Sequence, residues 1–155
     1  MRKLIAAIAL TIMACGGGDS DAQAQEPDAA PAANAPAAEA TQGAVHEVQM
    51  VLTDAGEYKY VPETLTIKVG DTVRWINASG GPHNVQFTAG EIPDGADAVL
   101  NAAMANRMGS LNGQLLMAPN AVYEISFAGA PVGEYGYVCT PHVMLGMTAT
   151  LTVEN

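Results

Sequence analysis

From residue 46 to the end, the chain is written as short runs in which apolar or β-branched side chains alternate with polar ones, and this period of two limits the fold more than any other feature. Residues 46–52, 64–69, 72–77, 83–88, 121–127, 134–139 and 147–154 each read as a strand. Short strands repeated at this density predict an all-β sandwich of about seven to eight strands. Gly70-Asp71 lies between two clean alternations, so residues 64–69 and 72–77 are expected to pair as a hairpin. Val73 and Trp75 share one face of the second run and Ile76 takes the other, and apolar groups on both faces leave the core side open. Only the stretch between Thr88 and Ala121 lacks strand character. Its alanine-rich residues 96–108 predict one short helix, with Val99, Ala103 and Met108 as the inward stripe.

The first 44 residues follow different rules. Arg2 and Lys3 precede an uncharged run over residues 4–13, too short for the roughly 20 apolar residues that cross a bilayer, so residues 1–15 read as a secretory signal. Ile12-Met13-Ala14-Cys15 resembles a bacterial lipobox, which makes Cys15 the expected lipidated residue and ties the chain to a membrane. Ordinary cleavage near Ala22 or Ala24 is the alternative. Residues 16–44 are Ala, Pro, Gly, Gln and acid with almost no bulky side chain, so they read as a disordered tether ahead of a domain over residues 45–155.

That domain carries Lys59, Lys68, Arg74 and Arg107 against eleven acids, a net charge of −7 before any metal binds. Such a surface argues against nucleic acid and for a partner with a basic face. The domain holds one cysteine, Cys139, which therefore has no partner for an internal disulfide. A buried structural thiol is the bland reading, and its neighbours decide against it.

In Tyr137-Val138-Cys139-Thr140-Pro141-His142-Val143-Met144-Leu145-Gly146-Met147, a strand delivers a thiol, an imidazole follows three positions later and a thioether five positions after that. Thiolate and thioether are soft donors and imidazole is intermediate. Two histidines and a cysteine with a weak axial methionine form the donor set of blue-copper electron-transfer sites. His83, in Gly80-Gly81-Pro82-His83-Asn84-Val85, supplies the second imidazole. The expected ligands to one type 1 copper ion are thus His83, Cys139, His142 and Met147. Of the three histidines, His46 has no motif around it and reads as a surface or strand-edge residue. Met144, two residues after His142, is too close to turn back to the metal and is expected to pack or face outward.

Gly81-Pro82-His83-Asn84-Val85, Glu91-Ile92-Pro93-Asp94-Gly95 and the stretch from Gly133 through Met147 resemble the blue-copper family of plastocyanin, pseudoazurin and amicyanin. The resemblance implies a Greek-key cupredoxin sandwich with type 1 copper at one end. Asn84 is placed to bridge the His83 and Cys139 loops. Pro141, which has no N–H, cannot donate a hydrogen bond to the Cys139 sulfur.

The implied function is single-electron transfer by a monomer, with electrons leaving through His142. The apolar ring of Met144, Val143, Leu145, Pro141, Pro82, Gly80 and Gly81 around His142 would face a redox protein such as a c-type cytochrome or a membrane oxidoreductase. An enzyme with further copper ions would need histidines the chain lacks. A copper-delivery protein with the same ligands is the main alternative.

Overall fold

Period-two alternation becomes two facing sheets. The structure, a computed structural model, describes residues 43–155. Its described strands are β1 (Val45–Leu52), β2 (Tyr58–Val61), β3 (Thr64–Lys68), β4 (Thr72–Asn77), β5 (Gln86–Phe87), β6 (Val122–Ser126), β7 (Gly133–Val138) and β8 (Thr148–Glu154), with one helix, α1 (Ala96–Ala103). One sheet has the order β2-β1-β4-β6 and the other β3-β8-β7-β5. Neighbours are antiparallel except β1 with β4 and β3 with β8. This is the expected all-β sandwich with one short helix.

Inward positions alternate as the pleat requires: Val48 and Met50 on β1, Val73 and Trp75 on β4, Tyr123 and Ile125 on β6, Tyr135 and Tyr137 on β7, Leu151 and Val153 on β8. Val73 and Trp75 therefore mark the core face that the sequence left open. Trp75 meets Tyr137 edge-on at 5.7 Å and 83°, and Phe87 at 6.3 Å and 85°. Edge-to-face aromatic pairs add about 0.5–1.5 kcal/mol each beyond their buried area.

Three expectations change. Residues 64–69 and 72–77 form no hairpin: β3 pairs with β8, from Thr64 opposite Thr150 to Lys68 opposite Glu154, while β4 pairs with β1 and β6. Alternation says which face is buried, and it is silent about the neighbouring strand. Asp71 is a buried corner rather than a turn tip. Its carboxylate accepts the Lys68 N–H at 2.9 Å, the Ala44 N–H at 2.8 Å and His46 Nε2 at 2.8 Å, which holds the chain where it crosses from one sheet to the other. These donors keep the Asp71 carboxyl below its usual range, the Lys68 N–H foremost.

The strand expected over residues 83–88 shrinks to Gln86–Phe87: only these two pair with β7, opposite Val138 and Tyr137, while His83 makes a separate bridge to Leu116 in the long connection. β2, with Tyr60 wholly buried and Val61 outward, was not anticipated.

In α1 the inward residues are Ala96 and Leu100, continued by Met104 just past the helix. Val99 and Ala103 only pack against the core's edge, and Met108 is 54% exposed. Past Ala103 the backbone turns extended at Met104, and the Asn101 side chain accepts the Leu111 N–H at 2.8 Å, tying the returning chain to the helix.

Candidate metal centre

β7 ends at Val138, and the next inward position puts Cys139 in the core with no exposed surface. The chain then winds through a 3-10 turn, Thr140–Leu145, whose second residue is Pro141. Gly146 stops the turn at φ 85°, a left-handed conformation that glycine adopts at no steric cost, and its N–H returns to the Val143 carbonyl. The Cys139 N–H donates to the Met147 carbonyl at 3.1 Å and closes the loop, so the strand end and the buried Met147 face each other. His83 comes from the other direction, pinned by paired backbone hydrogen bonds with Leu116 at 3.0 and 2.7 Å.

These segments bring His83, Cys139 and His142 together. Cys139 Sγ lies 3.6 Å from His83 Nδ1 and 3.5 Å from His142 Nδ1, and the three candidate donor atoms all fall within 4.8 Å of one another. Bonds of about 2.0–2.3 Å to a shared ion, opening at trigonal angles, separate nitrogen and sulfur donors by about 3.5–3.8 Å. The triangle fits one ion, and its mixture of one thiolate with two imidazoles fits copper. Met147 is fully buried at the same loop. His46 is not part of the cluster, Met144 is 92% exposed and Pro141 is exposed at the turn. Cys15 lies outside the described residues.

Burial sets the protonation of the metal-free cluster. It pushes His83 down to about 4, helped by His142 beside it, lowers His142 as well, and raises the Cys139 thiol. Both imidazoles are thus neutral donors at neutral pH, and metal binding displaces the thiol proton.

His83 holds its proton less well folded than unfolded, so the unfolded chain binds more protons between about pH 6.5 and pH 4. The stability of the metal-free protein is therefore full above about pH 6.5 and falls as the pH drops towards 4. Asp71, held below the usual carboxylate range, adds its loss only at still lower pH. Urea midpoints across this window should decline with pH; a flat profile would contradict a buried neutral His83.

The polar surroundings fix the rings. His83 Nε2 meets the Ser79 hydroxyl at 3.3 Å, which suits a proton on Nε2 and leaves the Nδ1 lone pair towards the cluster. Asn84 bridges the two loops as anticipated: its Oδ1 accepts the Thr140 N–H at 2.8 Å and its Nδ2 donates to Thr140 Oγ1 at 3.0 Å. The Tyr60 hydroxyl donates to the Asn84 carbonyl at 2.7 Å.

Two contributors were missed from the sequence. The Tyr58 ring stacks on His142 with centroids 3.7 Å apart and planes 6° from parallel, leaving His142 7% exposed. Asn112 Oδ1 takes the second N–H of Asn84 at 2.7 Å. The run Tyr58-Lys59-Tyr60-Val61 is a legible strand signal that would have placed Tyr58 and Tyr60 on one face. No local signal points to Asn112.

Comparison with known proteins agrees with this geometry. The family described as copper binding proteins, plastocyanin/azurin family, matches residues 46–154. The chain is similar to plastocyanin of Scenedesmus fuscus, 41% identical over 101 residues that cover 65% of this chain and 92% of that protein. It is likewise similar to plastocyanin of a Synechococcus strain, 42% identical over 103 residues, covering 66% of this chain and 69% of that one. Among solved structures, oxidised plastocyanin from Dryopteris crassirhizoma superposes with a TM-score of 0.55 at 26% identity, covering 70% of this chain and 99% of that one.

Proposed function

Since this chain belongs to the plastocyanin/azurin family of copper-binding proteins, we propose that it carries single electrons between redox proteins, with His83, Cys139, His142 and Met147 as the residues that would hold one copper ion. The observation that carries this reading is the buried triangle of two Nδ1 atoms and one Sγ. Copper bound there supplies a one-electron Cu(I)/Cu(II) couple. The residues do the rest. The Asn84 and Ser79 contacts hold the ligands in one arrangement, so little atomic movement accompanies electron transfer. The burial of all three donors favours a resident metal over one handed on, which weighs against copper delivery.

Copper(II)-loaded protein should show intense visible thiolate-to-copper absorption and a narrow copper hyperfine splitting in paramagnetic resonance. A weak visible band with a wide splitting would sink the proposal.

His142 is the ligand nearest solvent, and exposed Val143, Met144 and Leu145 follow it in the same turn. Together with Pro82, Gly80, Gly81 and Pro141 they offer an apolar docking surface for a partner such as a c-type cytochrome or a membrane oxidoreductase. The acidic excess of residues 45–155 favours a partner with a basic face and raises encounter rate.

Pro141 keeps an N–H donor away from the Cys139 sulfur, leaving the thiolate electron-rich. Pro141→Ala is expected to raise the reduction potential, measured by voltammetry; an unchanged potential counts against this role. The protein works as an exported monomer held at a membrane by lipidated Cys15. Membrane fractions should lose the protein in Cys15→Ser, and undiminished association would refute the anchor. Among the described residues no helix is long and apolar enough to cross a membrane.

A further inference from the structure

The hydrogen bonds around the metal centre continue into the long connection between α1 and β6, where nothing in the donor set requires them. Residues 104–121 contain little regular structure, yet the stretch around Asn112 is tied on both sides. The Phe87 N–H donates to the Leu111 carbonyl and the Gly113 N–H to the Val85 carbonyl, each at 2.9 Å. Asn101 on α1 accepts the Leu111 N–H at 2.8 Å and Arg107 Nη1 at 2.9 Å, and donates to the Ser110 hydroxyl at 3.2 Å. Leu111 is held at φ 57°, a left-handed conformation unfavourable to a branched side chain, so the surrounding contacts impose this path against local preference. A Cβ on Gly113 would come within 2.5 Å of the Tyr123 ring, so the chain can run here only with glycine beside Asn112.

The result of this anchoring is one contact, Asn84 Nδ2 to Asn112 Oδ1 at 2.7 Å. Asn84 is completely buried, so each of its amide hydrogens needs a protein acceptor. One goes to Thr140 Oγ1 and the other to Asn112. Its Oδ1 faces the Thr140 N–H, a group that can only donate. A flipped amide would set donor against donor at Thr140 and oxygen against oxygen at Asn112. The Thr140 N–H thus fixes the orientation of the Asn84 amide, and Asn112 supplies the acceptor that satisfies its remaining hydrogen while Asn84 grips Thr140, the residue next to Cys139.

The geometry points to Asn112 as a positioning residue of the metal centre, acting through Asn84 to hold the Cys139–Thr140 segment in its ligand-presenting position. This rests on the copper reading for its consequence, but its mechanical part belongs to the metal-free protein and can be measured there.

The test compares Asn112→Ala, which removes the acceptor, with Asn112→Asp, which keeps a side-chain oxygen at the same reach. Val153→Ala, at the far end of β8, serves as a control that loses core packing without touching the network. Amide hydrogen exchange of Thr140 is followed in the metal-free proteins, and copper release to a chelator and the visible spectrum in the loaded ones. Asn112→Ala should exchange the Thr140 amide about tenfold faster and release copper about 10- to 100-fold faster, with an altered visible band. Asn112→Asp should stay close to the starting protein in exchange and release.

Exchange and release within twofold of the starting protein in Asn112→Ala would overturn the inference. So would Asn112→Asp as leaky as Asn112→Ala, or equal copper release from Val153→Ala. Should the unaltered protein take up no copper, the copper reading fails, and Thr140 exchange alone decides the role of Asn112.

Discussion

Cys139→Ala is expected to leave a folded protein that no longer develops the intense visible band on addition of Cu(II). The sulfur stands 3.6 and 3.5 Å from the two Nδ1 atoms, so its removal opens one corner of the triangle and leaves two neutral imidazoles. Cu(II) held only by nitrogen and oxygen donors favours tetragonal geometry. The band should therefore vanish rather than shift, and the copper hyperfine splitting should widen. The fold should survive, because truncation at one buried sulfur removes a small apolar volume next to a well-packed aromatic core and costs on the order of 1 kcal/mol. Loss of the band together with a denaturation of the metal-free protein weakened by no more than about 1 kcal/mol would identify Cys139 as a ligand and not as core filling. A band retained in this variant would remove the foundation of the copper assignment.

Asn84→Ala should have the second largest effect, and of a different kind. It takes away no ligand, but it strands the part-buried Thr140 N–H and leaves Asn112 Oδ1 without its donor. Unsatisfied buried groups cost about 1–3 kcal/mol each, and these two are only partly buried, so the metal-free protein should lose about 1–2 kcal/mol. The loop that carries Cys139 and His142 would then be held to the His83 side by fewer ties. Copper release to a chelator should accelerate by about 10- to 100-fold. Chemical denaturation and chelator competition measure the two effects separately. A variant with reduced stability and normal copper retention would show that Asn84 is a structural brace alone.

What could be read from the sequence and what could not divide along a physical line. Cysteine and histidine are scarce in residues 45–155, and their spacing in the Cys139 loop is short, so a handful of residues points to one chemistry. Period-two alternation likewise marks buried faces, and Val73, Trp75, Tyr135 and Tyr137 lie where alternation places them. Neighbours are another matter. Nothing local in Thr64–Lys68 says that its partner is Thr148–Glu154 rather than Thr72–Asn77, because pairing is decided by how the chain crosses between sheets. The Asp71 corner that settles it reads, from sequence, as an ordinary turn.

The surroundings of the metal centre fall on the same side of that line. Tyr58 reaches His142, and Asn112 reaches Asn84, across wide intervals of chain. Such contacts depend on the completed fold, and a lone tyrosine or asparagine carries no mark of them. His83 was legible only because the Cys139 loop lacked a second imidazole.

The Asp71 corner also has a mechanical side. Its carboxylate clasps the N–H of Ala44, immediately before β1, and β4 leaves the same corner alongside β1 in parallel. A pull on the chain ahead of Ala44 meets that clasp first. It must then shear a ladder of six register pairs, from Val45 opposite Thr72 to Met50 opposite Asn77, before the strand comes free. Parallel ladders loaded along their length yield together rather than one bond at a time. The metal loop is carried between β7 and β8 in the other sheet. Tension on the leading segment would thus load the Asp71 clasp and the β1–β4 ladder before it reached the sheet that carries the metal loop.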